Sequence, residues 1–363
     1  MDTSRLKQAW AQARHHQNSI LFICGFLFDA FTIIRIDAWL DLAIQLAYLL
    51  VITALLILQS RKDRGLWTPG PWLEKLWSYS DEALYFVYGG LFSCYVVLYF
   101  KSTSGIRTYT FFVLLAALLF INEIPRVRRH GYRLRMGFYA FCWASFLIYF
   151  VPILMGRMGD FIFLLSMTLS VLLTWGVAGF LISRGEGYAA AKRRLFWPAG
   201  VVIGSIIVLY FLRLIPPVPL SVQYQGIFHD VVKRQNSYGL KTEAPPFYLF
   251  WRTDSRPYRY TEGELIYYFV RIFAPGRFHH DVKIRWEKKN ALTGSYEERD
   301  YISLQVTGGR ADGFRGYVAK SNFEEGRWRV RTETDDGRTI GMISFNVEKI
   351  DEMDRREWRV ESM

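Results

Sequence analysis

Charged and polar residues that interrupt apolar stretches are the first candidates for chemistry in this chain. Asp29 lies within the apolar run GFLFDAFTIIR, which ends at Arg35, and Asn122 and Glu123 close another apolar run. A charge inside a bilayer is costly, so such residues either pair with one another or serve transport and proton transfer. The four residues form a candidate intramembrane polar site. Structural pairing, of Asp29 with Arg35 and of Glu123 with the arginines that follow it, is the simpler alternative.

A short cluster of metal-ligand types occurs in the polar C-terminal region, at His279, His280 and Asp281. Alternate residues of a strand point to the same face, so His279 and Asp281 could share a metal ion while His280 could not. A third ligand, such as His229, would have to come from another segment, because catalytic zinc usually takes three protein ligands. A solvated start of a strand is the alternative interpretation, and we expect no metal and no other cofactor.

A row of arginines, Arg327, Arg329 and Arg331, alternates with apolar residues and is predicted to form one face of a strand. Such a face could bind an anionic partner, for example lipid phosphates or a polyanionic glycan. Glu333 and Asp335 follow directly, which favours a solvated face of mixed charge instead.

Motifs of known catalytic classes are missing from the sequence. There is no glycine-rich phosphate loop before a helix, no G-x-S-x-G and no H-E-x-x-H. The three cysteines, Cys24, Cys94 and Cys142, all lie in apolar segments, so the polar region has neither thiol chemistry nor a disulfide framework. We therefore assign no catalytic residue and interpret the chain as more consistent with a non-enzymatic protein.

The elements that must position these residues are apolar segments long enough to cross a bilayer, which requires about 20 residues per helix. Seven segments qualify, the first and fourth being short: 19–34, 40–59, 83–100, 109–124, 136–155, 161–182 and 195–214.

The orientation of these segments follows from the basic residues in the loops between them. Of the 21 Lys and Arg residues up to residue 214, sixteen fall on the side of the N-terminus and five on the other. The N-terminus is therefore predicted to be cytoplasmic, and an odd number of spans places the C-terminal region outside the cytoplasm, which in a Gram-negative cell is the periplasm. Because the net charge of +12 resides mainly in these short loops, nucleic acid is not an expected partner.

The hydrophobic period changes to two after residue 246, which predicts strands with one buried face. Seven strands are predicted, at 247–252, 264–272, 281–288, 300–307, 313–320, 326–333 and 338–348, with a tight turn at Asp336-Gly337. Together with the apolar segments they indicate an α-helical polytopic membrane domain followed by an all-β soluble domain, an immunoglobulin-like sandwich with a small barrel as runner-up.

The resulting domain prediction has five parts. They are a cytoplasmic arm at 1–18, a seven-span domain at 19–214, a membrane-proximal connector at 215–245, a β-sandwich at 246–349 and a polar tail, with a short helix as one option, at 350–363.

The segment GRWRVRTETDDGRTIGMISFNVEK, with HHDVKIRWEKK and GGRADGFRGYVAK before it, carries a family resemblance. It resembles the C-terminal domain of an uncharacterised bacterial family, the domain of unknown function two-nine-one-four, over about residues 263–349. The resemblance rests on Trp286, Lys320, Gly326, Trp328, Val330, Gly337, Phe345 and Val347. It implies an inner-membrane protein with an extracytoplasmic β-domain and brings no known activity.

These observations predict an integral inner-membrane protein that presents a periplasmic β-sandwich for binding or scaffolding in the cell envelope. The expected partners are the lipid bilayer and an envelope protein or glycan. The alternative is a transport or lipid-modifying activity inside the membrane that uses Asp29 and Glu123.

Overall fold

The computed structural model describes residues 37–102, 106–124, 131–182, 188–235, 237–249, 251–276, 278–308, 313–351 and 356–363. Among these residues, helices lie between Trp39 and Phe211, and strands lie between Ser221 and Ser362. The chain divides into two compact units, one mainly of helices and one mainly of strands, which we call the helical part and the β part.

The helices coincide with the predicted apolar segments. Five helical stretches of the described residues are long and apolar enough to cross a membrane, and a shorter apolar stretch lies at Tyr109–Asn122. The second to seventh predicted segments are thus confirmed as helices, and the first lies outside the described residues. The helices are α1 (Trp39–Asp63), α2 (Pro71–Trp77), α3 (Ser80–Lys101), α4 (Ile106–Glu123), α5 (Tyr132–Met155), α6 (Asp160–Leu181), α7 (Tyr188–Ala191) and, after a π-helical turn at Lys192–Phe196, α8 (Trp197–Phe211).

Helices α3 and α5 form the interior of the helical part, since most of their residues are buried, whereas only about a third or less of the residues of α1, α6 and α8 are buried. The hydroxyl groups of Tyr88, Tyr95 and Tyr99 in α3 donate hydrogen bonds to carbonyl oxygens of α5, at 2.8, 2.9 and 3.3 Å. A buried hydroxyl without a partner would cost free energy, so these bonds allow tyrosines to fill the helix contact. The apolar outer faces of the remaining helices suit a lipid environment.

The β part contains eleven strands among the described residues, in three sheets with the orders β1-β5-β8, β4-β10-β9-β6-β7 and β11-β3-β2. The strands are β1 (Ser221–Phe228), β2 (Asp230–Lys233), β3 (Tyr238–Glu243), β4 (Tyr258–Tyr260), β5 (Ile266–Phe273), β6 (His279–Lys289), β7 (Tyr296–Thr307), β8 (Phe314–Lys320), β9 (Gly326–Thr334), β10 (Thr339–Lys349) and β11 (Trp358–Ser362). An all-β part after a helical part was predicted, and it is confirmed.

Strand β5 shows how the three sheets stack. Ile266, Tyr268, Val270 and Ile272 belong to the main core, which also takes side chains from the five-stranded sheet. Phe269 belongs to a second core with residues of β2 and β3. Since alternate residues of a strand point to opposite faces, the sheet β1-β5-β8 is covered on both sides. The sheet β1-β5-β8 and the five-stranded sheet form a sandwich, and the sheet β11-β3-β2 adds a third layer.

The predicted hairpin of β9 and β10 is confirmed. Trp328, Val330 and Thr332 are buried in alternation along β9. At the turn, Gly337 has a φ of 77°, a conformation that glycine adopts without steric cost. The N–H of Gly337 donates to the carbonyl oxygen of Thr334 at 2.8 Å.

Three expectations for this region need correction. The segment 215–245, expected as a connector, contains β1, β2 and β3, because its apolar residues pair into sheets: Ile227 lies opposite Tyr268, and Val231 opposite Leu240. Residues 247–252, expected as a strand, begin with a 3₁₀ turn at Phe247–Leu249. The tail at 350–363 contains β11, which pairs with β3.

Candidate functional site

The helical part contains a polar pocket of about 460 Å³ at the ends of its helices. It lies where α1 ends and where α3 and α5 begin, with the short helix α2 beside it. Its lining is made of polar, charged and aromatic residues: Gln59, Lys62, Asp63, Trp77, Ser78, Ser80, Asp81, Glu82, Gly131, Tyr132 and Arg135.

Arg135 joins three helices at this pocket. Its Nη1 donates to Oε1 of Gln59 at 2.8 Å, and its Nη2 donates to Oδ2 of Asp81 at 3.0 Å. The amide of Gln59 completes the ring by donating to the other carboxylate oxygen of Asp81 at 2.9 Å. Because each member comes from a different helix, this ring fixes the ends of α1, α3 and α5 against one another.

The remaining groups of the pocket carry both signs of charge. The hydroxyl of Tyr132 donates to Oδ2 of Asp63 at 2.9 Å. The Nζ of Lys62 lies 5.9 Å from the ring centre of Trp77, within the range of a cation–π contact. Asp81 is already paired, so the pocket offers a small polar ligand a mixed surface rather than a field of one sign.

The predicted intramembrane site is only partly within the described residues. Asp29 and Arg35 lie outside them, and Glu123 ends α4 with a side chain that is also outside the description. Asn122 is fully buried, and its amide donates to the carbonyl oxygen of Tyr85 at 3.1 Å. This contact attaches α4 to α3. The structure therefore does not test whether the four residues act together.

Two of the three arginines in the predicted row pair with carboxylates of their own or the neighbouring strand. The Nε of Arg329 lies 2.5 Å from Glu287, and Nη2 of Arg331 lies 2.7 Å from the same carboxylate. Arg331 also reaches Glu333 at 3.4 Å. The guanidinium of Arg329 lies 3.9 Å from the ring centre of Tyr296. Arg327 is exposed at the start of the strand, so the row presents one exposed arginine and two that are paired.

The histidine cluster begins a strand, as expected. Strand β6 starts at His279, whose side chain is outside the description, and Asp281 is exposed. Among the residues that the structure describes, no group of three or more His, Cys, Asp or Glu side chains could hold a metal ion. His229, the third ligand that the sequence suggested, takes part in a different cluster.

His229 is buried in an aromatic and charged cluster of the β part. Its ring stacks on Tyr258 at 4.3 Å and meets Trp358 edge to face at 4.8 Å. Its Nδ1 lies 3.4 Å from Oε2 of Glu264, and both oxygens of that carboxylate accept hydrogen bonds from Arg356, at 2.5 and 3.0 Å. Sequence analysis missed Arg356 because it lies in the segment interpreted as a polar tail.

Burial controls the protonation of this cluster. Desolvation lowers the pKa of His229 to about 4, although the carboxylate of Glu264 opposes this effect. Burial alone would raise the pKa of Glu264, but the hydrogen bonds and charge of Arg356 lower it below its ordinary value. At neutral pH the cluster thus contains a neutral imidazole beside an ionised Glu–Arg pair.

Five of the eight residues that carried the family resemblance lie in the main core: Trp286, Trp328, Val330, Phe345 and Val347. Trp286 and Trp328 are buried there, and Nζ of Lys320 lies 5.9 and 5.8 Å from their ring centres. The ammonium group is 3.3 Å from Asp300. A buried lysine needs such a carboxylate partner, and the aromatic faces add cation–π attraction. These residues therefore help to build the core of the sandwich.

Comparison with protein families gives one match. Residues 279–347 match the family described as "Protein of unknown function (DUF2914)". This match confirms the predicted resemblance and extends from β6 to β10. No curated protein matches the chain.

Solved structures show only distant similarity. A β-glucosidase from Listeria innocua is 12% identical, with a TM-score of 0.19, over 32% of this chain and 17% of that chain. A GH3 β-glucosidase from Bifidobacterium adolescentis is 7% identical, with a TM-score of 0.19, over 38% and 19%. The chain thus spans under a fifth of these two proteins. A DNA-bound alkylpurine DNA glycosylase, AlkC, from Pseudomonas fluorescens is 12% identical, with a TM-score of 0.21, over 77% and 83%.

Proposed function

We propose that this chain, with its DUF2914 match at residues 279–347, is an inner-membrane protein that presents its β part to the periplasm for binding or scaffolding in the cell envelope. The proposal rests mainly on the division of the chain into two units. Helices long enough to cross a membrane come first, and a separate β part contains the whole family match. The excess of basic residues in alternate loops supports the assignment of sides.

The charge arrangement of the β part supports binding rather than catalysis. Carboxylates that could act as acids or bases are held by arginines, as Glu287 is by Arg329 and Arg331, and as Glu264 is by Arg356. Arg356 lowers the pKa of Glu264, so this carboxylate is stabilised as the ion and is a poor proton donor. Sandwich domains offer edges and loops that bind partners without chemistry.

Complementation of a deletion strain separates this function from an activity inside the membrane. We expect a chain lacking residues 221–363 to fail to restore the wild-type phenotype, and the variant Asp29→Asn with Glu123→Gln to restore it fully. Immunoblots of isolated membranes must show equal amounts of both proteins. Rescue by the truncated chain would contradict the proposal, and failure of the double variant would favour the transport or lipid-modifying alternative.

Crosslinking in intact cells tests the binding role itself. The full chain should be recovered with an envelope protein or glycan that is not recovered with the chain lacking residues 221–363. Recovery of the full chain alone, after crosslinking that captures a known membrane complex in the same sample, would count against a scaffolding role.

A further inference from the structure

Three large aromatic side chains are exposed close together on one segment of the β part. Phe247, Tyr248 and Trp251 are 90%, 59% and 65% exposed, and the rings of Phe247 and Tyr248 meet edge to face at 5.6 Å. Each aromatic side chain offers some 150–250 Å² for burial. We call these three residues the aromatic segment. Exposure of that much aromatic surface marks a site of interaction.

Hydrogen bonds hold the backbone beside the aromatic segment. The N–H of Leu249 donates to Pro246, and the N–H of Arg252 donates to Leu249, each at 2.8 Å. On one side of the segment, the N–H of Ala244 donates to Glu357 at 2.8 Å, and on the other, the N–H of Ser255 donates to Ile227 at 2.8 Å. The aromatic side chains therefore project from a loop whose backbone is held by hydrogen bonds. This restraint limits the conformational entropy that is lost when the side chains bind.

The composition of the segment fits a lipid surface. Trp and Tyr are enriched at the level of the lipid headgroups because each has an apolar ring and a polar tip, and Phe is common on the apolar face of interfacial segments. From Pro246 to Arg252 the sequence has no acidic residue, and Arg252 is its one charge. A basic residue beside inserted aromatic rings suits the phosphates of a bilayer.

The segment that joins the last apolar helix to β1 is short enough to keep the β part within reach of a bilayer that the helix crosses. The last apolar helix ends at Phe211 and β1 begins at Ser221, so residues 212–220 can span at most about 30 Å when extended. The sheet β11-β3-β2, whose strand β3 ends shortly before the segment, also exposes two apolar side chains, Val232 at 51% and Val360 at 61%.

We propose that the aromatic segment is a membrane-surface anchor, in which Phe247, Tyr248 and Trp251 insert into the headgroup region of the bilayer that the helices cross. The anchor limits the tumbling of the β part and fixes which of its faces points away from the membrane. This proposal is the same whichever side of the membrane the β part occupies. It therefore depends on the insertion of the helices into a bilayer and not on the assignment of the β part to the periplasm.

The test uses the full chain in nanodiscs of phosphatidylethanolamine and phosphatidylglycerol, with Cys24, Cys94 and Cys142 replaced by Ser. Tyr248→Cys carries the environment-sensitive fluorophore NBD. The matched control is Leu292→Cys, because Leu292 is 96% exposed in the turn between β6 and β7. We expect the label at position 248 to shift to shorter wavelength and to lose intensity when spin-labelled lipids are added, whereas the label at position 292 should do neither.

Adding Phe247→Ser and Trp251→Ser to the labelled Tyr248→Cys chain should reduce the lipid quenching, provided that trypsin resistance shows that the β part remains folded. Quenching at position 248 no stronger than at position 292 would overturn the anchor, as would quenching that the added serines leave unchanged. The nanodiscs contain no partner protein. If the label at position 248 is exposed to solvent in nanodiscs but shielded in cell membranes, the anchor is also overturned. That result would identify a protein-binding segment instead.

Discussion

Individual side chains of the β part derive their properties from neighbours on other strands. The alternation of Arg329 and Arg331 with apolar residues is visible in the sequence and correctly predicts one row facing the core. The carboxylate of Glu287, which pairs with both arginines, belongs to β6, and only the pairing of β6 with β9 brings it close. The alternation of residues therefore predicted which face of the strand the arginines occupy. The pairing of β6 with β9 decided that a carboxylate lies beside them.

His229 should make the stability of the β part depend on pH in a defined window. Its pKa is about 4 in the folded chain, because burial disfavours the charged ring, against 6.5 when unfolded. The unfolded chain therefore binds the extra proton between these values, and stability falls as pH falls from about 6.5 to about 4. Of the groups around the ring, the Glu264 carboxylate opposes this effect, the charges of Arg356 and Lys241 reinforce it, and Tyr258 stacks on the ring. The loss amounts to about 3 kcal/mol.

Pulse proteolysis of the full chain in detergent micelles at several pH values measures this loss. The variant His229→Gln should remove most of the slope between pH 6.5 and 4. Glu264, whose pKa is lowered, begins to lose its stabilising contribution only as pH falls below its ordinary value of 4.5, so it overlaps only the lowest part of the window. An unchanged slope in the variant would show that another group is responsible.

The helices and the later strands could be predicted as elements, and the early strands could not. Apolar runs of membrane-crossing length identified the helices, and strict alternation identified β9 and β10 with their Asp336-Gly337 turn. Strand β1 breaks the alternation with glutamines and a glycine. Strands β3 and β11 are short and pair across more than a hundred residues. Their sheet forms because strands that are far apart in the chain pair with one another. A local sequence pattern does not predict such pairing.

At Gly308, where β7 ends, the backbone passes very close to the carbonyl oxygen of Pro275. A Cβ atom at this position would lie 1.8 Å from the carbonyl oxygen of Pro275, so the backbone would have to move. We expect Gly308→Ala to destabilise the β part by more than about 2 kcal/mol. The control is Gly276→Ala in the facing loop, where a Cβ would meet nothing within 4 Å. Urea denaturation monitored by tryptophan fluorescence compares the two, and equal midpoints would contradict the close approach.

Across the whole chain, the distribution of Lys and Arg predicts the side on which the β part lies. Alkaline phosphatase fused after Met363 should be active, because this enzyme folds only outside the cytoplasm, and green fluorescent protein at the same position should be dark. The reciprocal fusion at the N-terminus serves as the control. Fluorescence from the C-terminal fusion would overturn the assignment of sides.

The sequence alone identified the helices of membrane-crossing length, the strands from β5 to β10 and the family resemblance, because each depends on residues that are near one another in the chain. Tertiary structure decided which charges pair, how α3 and α5 are joined by tyrosine hydroxyls, and that β1, β3 and β11 complete the β part. It also revealed the exposed aromatic segment, since burial depends on contacts with distant residues. Composition cannot distinguish a core tryptophan such as Trp328 from an exposed one such as Trp251.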